Sequence, residues 1–173
     1  MKRYALNKNK FLNTNESKHL KSLIKDSSRD ALLIGLALRT GARAQELLNI
    51  QKSDLDVDGK SVLIRGIKNS DDRLIPLEKT FFKKLLEYSK TIEGETLFPI
   101  SYDRLVDIWN HYRPTKKKFH SLRHTFAIEL YRATKDILLV KAAMGHRSLL
   151  NTMIYCDYIN QTERLKDVLK ATK

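Results

Sequence analysis

Residues 119–158 read FHSLRHTFAIELYRATKDILLVKAAMGHRSLLNTMIYCDY. Ser121 to Thr134 and Asp136 to Met144 read as helices. Gly145-His146-Arg147-Ser148 breaks the second, and Ser148 caps a third helix that brings Tyr155 round on its second turn. His120 and Arg123 lie three apart and are near neighbours if the first helical turn includes both. The stretch therefore gathers His120, Arg123, His146 and Tyr155, side chains suited to work on a phosphodiester.

Ahead of it, TKKK at 115–118 is a basic loop leading into His120. Lys116, Lys117 and Lys118 read either as a solvated face or as cations that position phosphate. About Tyr102 to Tyr112 runs a helix carrying Leu105, Ile108 and Trp109, closed by Pro114. Trp109 fits a core position or a ring stacked on a base. Glu78 to Ser89 is an amphipathic helix with Phe81, Phe82, Leu85 and Leu86.

Residues 55–77, LDVDGKSVLIRGIKNSDDRLIPL, change the period to two. Asp58-Gly59 is a hairpin turn signal between Leu55 and Val57 on one side and Val62 and Ile64 on the other. Arg73 to Leu77 reads as a third strand, and Lys68 sits at the second turn, where on its own it is a solvated lysine. Before the sheet, Arg29 to Arg39 is apolar nearly all round and reads as the buried central helix, capped by Ser28 and stopped by Gly41. Arg43 then opens a short helix, ARAQELLNI, with Leu47, Leu48 and Ile50 facing the core. A first helix capped by Thr14 carries Leu20, Leu23 and Ile24 and ends near Asp26 to Ser28. Residues 1–13 are basic and polar, either a frayed terminus or a DNA-contacting arm, and Thr162 to Ala171 is a short amphipathic helix with Leu165, Val168 and Leu169 on one face. The expected fold is α+β and mainly helical: one domain over 14–173 with a small three-stranded antiparallel sheet.

Composition bounds the partners. With 173 residues and 42% hydrophobic content the chain fills one domain. A formal charge of +13 calls for an anionic partner, although charge alone does not separate DNA from RNA or an anionic membrane. No leader-like segment and no run near the roughly 18 apolar residues of a membrane span is seen, so a soluble, cytoplasmic and nucleoid-associated protein is expected. The single cysteine, Cys156, excludes an internal disulfide and a cysteine-rich zinc site.

Displacing an alkoxide from a phosphodiester needs a nucleophile, positive donors around the nonbridging oxygens and an acid for the leaving oxygen. Arg43 and Arg123 present planar forks that stay charged. His120 and His146 add donors or move protons near neutrality. Lys68, on a flexible hairpin, can protonate a departing 5′ oxygen. Tyr155 needs nearby cations and a hydrogen-bond acceptor to lose its proton; its product would be a phosphotyrosine ester that conserves bond energy without ATP. This chemistry needs no metal or other cofactor, and no Asp/Glu cluster has metal-site spacing.

Three boxes carry a resemblance: TGARAQELLNI (40–50), similar to T-G-x-R-x-x-E-L; HSLRHTFA (120–127), similar to H-x-L-R-H-T-F-A; and GHRSLLNTMIY (145–155), similar to G-H-x-x-x-x-x-T-x-x-Y. With Lys68 and the strand RLIPL between them, the chain resembles the catalytic domain of tyrosine recombinases, the phage-type integrases, over about residues 12 to 170. The resemblance implies Tyr155 as nucleophile, Arg43, Arg123, His120 and His146 as the pocket for the scissile phosphate, Lys68 as general acid and Glu46 as a carboxylate orienting that pocket. Lys116, Lys117, Lys118 and Arg147 are the expected DNA contacts. It also implies double-stranded DNA as partner and tetramers on paired sites that exchange the C-terminal helix. A separate DNA-binding domain, carried by most relatives ahead of the catalytic one, is not expected in this sequence. Two other readings stay open: a type IB topoisomerase-like enzyme, and a DNA-binding regulator that keeps the fold without turnover. Tyr158 is a rival nucleophile.

Overall fold

The computed structural model describes residues 6–67, 70–161 and 165–171. Helix α1 (Thr14–Leu23) is followed by α2 (Arg29–Thr40), α3 (Ala44–Leu48) and a single 3-10 turn at Lys52–Asp54. The strands are β1 (Leu55–Asp56), β2 (Ser61–Ile64) and β3 (Arg73–Pro76), and the remaining helices α4 (Lys79–Ser89), α5 (Tyr102–Tyr112), α6 (Ser121–Thr134), α7 (Ile137–Met144), α8 (Leu150–Ile159) and α9 (Leu165–Ala171). The expected fold class stands: helices around one antiparallel sheet of order β1-β2-β3.

Helix α2 is the centre, as its sequence requires. Leu32, Leu33, Ile34, Leu36 and Ala37 are all at 1% exposure or less, so no face of it is left for solvent. Ser28 caps its start through Oγ, and Gly41 ends it in the left-handed region at φ 60, a conformation that favours glycine. The sheet register pairs Val62 with Ile75 and Ile64 with Arg73. Because strand side chains alternate, Arg73 and Ile75 turn inward while Leu74 faces out. A charged residue is thereby carried into the interior at the start of β3.

A second core lies between α6, α7 and α8, built on Ala127, Ile128, Val140, Met144, Tyr155 and Ile159. Leu6 and Phe11 belong to it. The described part of the N-terminal segment is therefore neither frayed nor a free arm: Leu12 N–H donates to Thr125 Oγ1 at 2.8 Å, and the Phe11 ring packs edge-on against Tyr158 at 5.2 Å. The physical reason is the apolar side chains spaced among its polar residues, which find cover only on α6 and α8.

Two caps also differ from the sequence expectation. Asn13, not Thr14, caps α1, its Oδ1 accepting from Glu16 N–H while Glu16 returns a bond to Asn13 N–H. Ser148 does not cap α8; the capping position is Leu149 in a helical conformation without a side-chain bond, and Ser148 supplies only its carbonyl to Asn151 N–H. Trp109 is a core residue at 2% exposure, its Nε1–H donating to the Lys117 carbonyl at 2.7 Å. Base stacking on its open face is thereby excluded. The C-terminal helix is described from Leu165; residues 162–164 lie outside the described residues.

Phe11→Ala should lower unfolding stability by about 3 kcal/mol, the cost of emptying a buried aromatic site. Urea denaturation checks this, since truncation on a free arm would change stability by less than about 0.5 kcal/mol.

Candidate active site

The site is assembled around Glu46, a carboxylate at 1% exposure in the first turn of α3. Its Oε2 accepts from the backbone N–H of Arg43 at 2.8 Å and from Arg73 Nη2 at 2.7 Å, and its Oε1 accepts from Arg43 Nη1 at 2.8 Å. Arg123 Nη1 lies 3.9 Å from Oε2. Burial by itself would raise the Glu46 pKa; bonds from Arg73 and the Arg43 backbone, with the charges of Arg73 and Arg123, hold it below the usual carboxylate range.

Arg123 is clamped from both sides. Nη1 donates to the Gly41 carbonyl and Nη2 to the Met144 carbonyl, each at 2.6 Å, and Nη2 lies 3.1 Å from His146 Nε2. The carbonyls it uses are left open by the helix stops at Gly41 and Gly145. Burial, then Arg43 and Arg73, lower its pKa to about 9, which leaves it charged at neutral pH. Since a guanidinium only donates, His146 Nε2 is the acceptor and His146 Nδ1–H donates to Thr152 Oγ1 at 2.9 Å. The ring is therefore neutral, and its pKa is lowered to about 4 by burial and then by Arg123, Arg43 and Arg73.

The loop after β2 is tied to this corner. Ser70 Oγ accepts from Arg43 Nη1 at 2.9 Å and donates to the Gly145 carbonyl at 2.9 Å, which also accepts from Asp71 N–H at 3.0 Å. Gly145 has φ 64, and a Cβ there would meet Asp71 O at 2.7 Å and Ser70 Oγ at 2.8 Å. Glycine is thus required twice, for its backbone angle and for the close approach.

His120 stands at the N-terminus of α6 and reaches solvent. Its pKa is lowered to about 4 by burial first and then by Arg123 and Arg43; water at its open edge screens part of that push. One turn on, His124 packs edge-to-face against His120 at 4.7 Å, and its Nδ1 lies 3.0 Å from the Tyr155 hydroxyl. Burial and then His120 and Arg123 lower the His124 pKa to about 3, so the ring that faces the phenol is neutral.

Arg43, His120, Arg123 and His146 are thus brought together with Glu46, as expected. Tyr155 is buried at 2% exposure on the neighbouring side of α6, against His124 rather than His146. Lys68 lies outside the described residues. Lys117 is not a surface cation: its Nζ turns inward to the Phe11 carbonyl and Glu16, which corrects its assignment as a phosphate contact. Lys116 and Lys118 are exposed and line a cavity of about 440 Å³ with Asn7, Asn9 and His124. Arg147 is exposed and pairs with Asp71 at 2.9 Å.

Sequence reasoning missed His124, Ser70, Arg73 and Thr152. His124 was legible in principle, four residues from His120 and so on the same face; the others act through long-range contacts that no local spacing reveals. Among the described residues no three His, Cys, Asp or Glu side chains are gathered as a metal site requires, and no helix is long and apolar enough to cross a membrane.

Two guanidinium groups on a shared carboxylate, flanked by imidazoles and a buried phenol, form a pocket whose charge and donors suit an anion such as phosphate. Comparison with known proteins agrees: the phage integrase family model matches residues 10–161. Tyrosine recombinase XerA of Thermococcus kodakarensis is 30% identical over 161 residues, covering 84% of this chain and 57% of the relative. A crystal structure of XerA recombinase superposes with TM-score 0.72 at 25% identity, covering 84% of this chain and 57% of that one. XerH site-specific recombinase bound to difH substrate, in a pre-cleavage complex, superposes with TM-score 0.68 at 28% identity, covering 85% and 50%. The chain belongs to the phage integrase family, and its fold is that of a tyrosine recombinase catalytic domain. It spans little more than half the length of the first curated relatives it matches.

Removing the organising charge should be costly. Glu46→Gln is expected to lose roughly 3 kcal/mol of stability, because it leaves buried guanidinium groups without their anion; chemical denaturation of the variant measures it. The three depressed histidines set a pH dependence. Unfolded, each binds a proton near its ordinary pKa of 6.5; folded, the buried His124 and His146 do not until about pH 4 or below, and the exposed His120, its shift partly screened, contributes less. The unfolded state therefore holds more protons between those values, and stability falls as pH drops from 6.5 toward 4. Melting temperatures measured from pH 7 to pH 5 should decline, and His124→Gln should flatten that decline.

Proposed function

We propose that this chain cleaves and rejoins DNA strands at specific sites through a covalent 3′-phosphotyrosyl intermediate, with double-stranded DNA as its partner. The observation that carries the reading is the Glu46-held pair, Arg43 and Arg123, facing His120 and His146, with the Tyr155 phenol one helix face away. The pre-cleavage XerH–DNA complex among its structural relatives supports the same substrate class.

In this reading the scissile phosphate sits against the part-exposed Arg43 fork, with His120 at the mouth, and Arg123 adds its charge from below and donates once an oxygen displaces one of its carbonyl partners. The Tyr155 oxygen attacks phosphorus, and its proton passes to His124 Nδ1, the acceptor already in contact, once the bound phosphate anion has raised that ring's depressed pKa. The bond to the 5′ oxygen breaks, and Lys68 gives that oxygen a proton, leaving a 5′ hydroxyl. Attack by the 5′ hydroxyl of a second strand reverses the sequence and frees the tyrosine. His146 holds the Arg123 fork through Nε2 and becomes a donor once a bound phosphate anion raises its pKa. Lys116 and Lys118 steer the flanking backbone. Arg147, tied to Asp71, meets DNA only by exchanging that exposed pair.

Assembly is part of the proposal. Helix α9 exposes Leu165, Val168 and Leu169 at 59%, 54% and 56% on one face, a stripe suited to cover by a second copy in a tetramer on paired sites.

Tyr155→Phe should abolish the adduct with nicked duplex DNA while binding is retained, as judged by denaturing and native electrophoresis. An adduct surviving in that variant would transfer the role elsewhere, to Tyr158 first. DNA affinity should fall steeply as salt rises, and a flat titration contradicts phosphate-dominated binding.

A further inference from the structure

A cavity of about 640 Å³ opens beside Arg43 and His120, and the chemistry above leaves it unused. One wall is a face of α5, where Tyr102, Val106, Asn110 and Arg113 follow at helical spacing. At the base, Trp109 and Phe119 meet edge-to-face at 6.0 Å, and the indole is anchored by its bond to the Lys117 carbonyl. Gln45 lies beside Arg43 at the opposite rim, and Lys118 and His120 close the side toward the smaller cavity.

The lining is mixed in a particular way. It has an apolar and aromatic floor, an exposed phenol at Tyr102 (54%), two side-chain amides at Gln45 and Asn110, and cations at Arg43, Arg113 and Lys118. Among the described residues no carboxylate lines it. That charge repels a basic segment such as α9, which carries Lys166 and Lys170, and favours an anion. The volume falls within the range of small-molecule sites. A phosphate diester held by Arg43 and His120 would carry a sugar on each side, and because both residues line the cavity, the opening would lie within reach of one of those sugars.

We propose that the cavity receives the base of the nucleotide joined to that phosphate, unstacked from the duplex, with Tyr102 as the stacking surface and Gln45 or Asn110 reading the base edge. The inference rests on the strand-cleavage reading and deepens it. A base drawn into this cavity holds the backbone at the scissile position, so that binding there and alignment at phosphorus are one event. A site of this kind favours a particular base next to the cleavage point, because amide groups at its rim are satisfied by some base edges and left unpaired by others.

Trp109 is the only tryptophan of the chain, so isotopic labelling of its indole nitrogen gives a single N–H resonance at the cavity floor. The whole chain is titrated separately with inorganic phosphate, 2-deoxyribose 5-phosphate, thymidine 5′-monophosphate and 2′-deoxyadenosine 5′-monophosphate. The resonance should move saturably with the two nucleotides and stay with the two base-free phosphates. Val106→Phe, which fills the cavity, should weaken the nucleotide response about tenfold, near the low end of what loss of a base–aromatic stack removes. Tyr102→Ala, at an exposed position, serves the same purpose if the larger side chain is not accommodated. No movement with nucleotide, or equal movement with base-free phosphate, overturns the inference. The Tyr155-dependent adduct is read separately: adduct formation without an indole response overturns only the base site, whereas an indole response without adduct supports that site and removes the cleavage chemistry.

Discussion

The carboxylate of Glu46 is the interaction on which the rest of the site depends. Three guanidinium groups, from α3, β3 and α6, converge on it within a pocket that solvent barely enters. Without a shared anion their mutual repulsion at low dielectric would drive these elements apart. With it, one negative charge sets the positions of a part-exposed Arg43 and a buried Arg123 and leaves the pocket net positive, a condition that favours an anion. Arg73 is the partner that serves this purpose alone: it is buried, spends one nitrogen on Glu46, and has Nε and Nη1 without acceptors among the described residues. Such orphaned donors are costly, and the charge balance of the pocket is what compensates.

The same positive field explains the histidines. His120, His124 and His146 are all pushed toward the neutral form by burial and by the arginines beside them. A neutral ring can accept as well as donate, so His146 accepts from Arg123 and His124 is available to the Tyr155 phenol. An anion bound there would supply the missing negative charge and change these preferences, so anion binding and the protonation state of the pocket would be coupled through ordinary electrostatics.

Helix α8, which carries Tyr155, is held by a different set of forces. Tyr155 sits in the second core with Ile159, Met144 and the N-terminal residues Leu6 and Phe11. The inward turn of Lys117 onto Phe11 and Glu16 fixes the basic loop to the same segment. Loop, N-terminal segment and tyrosine helix thus form one packed unit beside the arginine cluster.

Much of this was legible in the chain itself. The all-apolar α2, the Asp58-Gly59 turn and the alternation around it, and the helices over 102–112 and 121–134 were readable because local periodicity and turn chemistry determine them. Arg43, His120, Arg123, His146 and Tyr155 were singled out because they fall in three short boxes that resemble those of tyrosine recombinases. What the tertiary structure decided was contact across sequence distance. It alone places Arg73 on Glu46, Ser70 between Arg43 and Gly145, Lys117 away from solvent and Tyr155 against His124. Sequence periodicity reports which face a side chain takes on its own element; its partner depends on how elements pack, and that is set by the summed burial of the whole chain rather than by any local stretch.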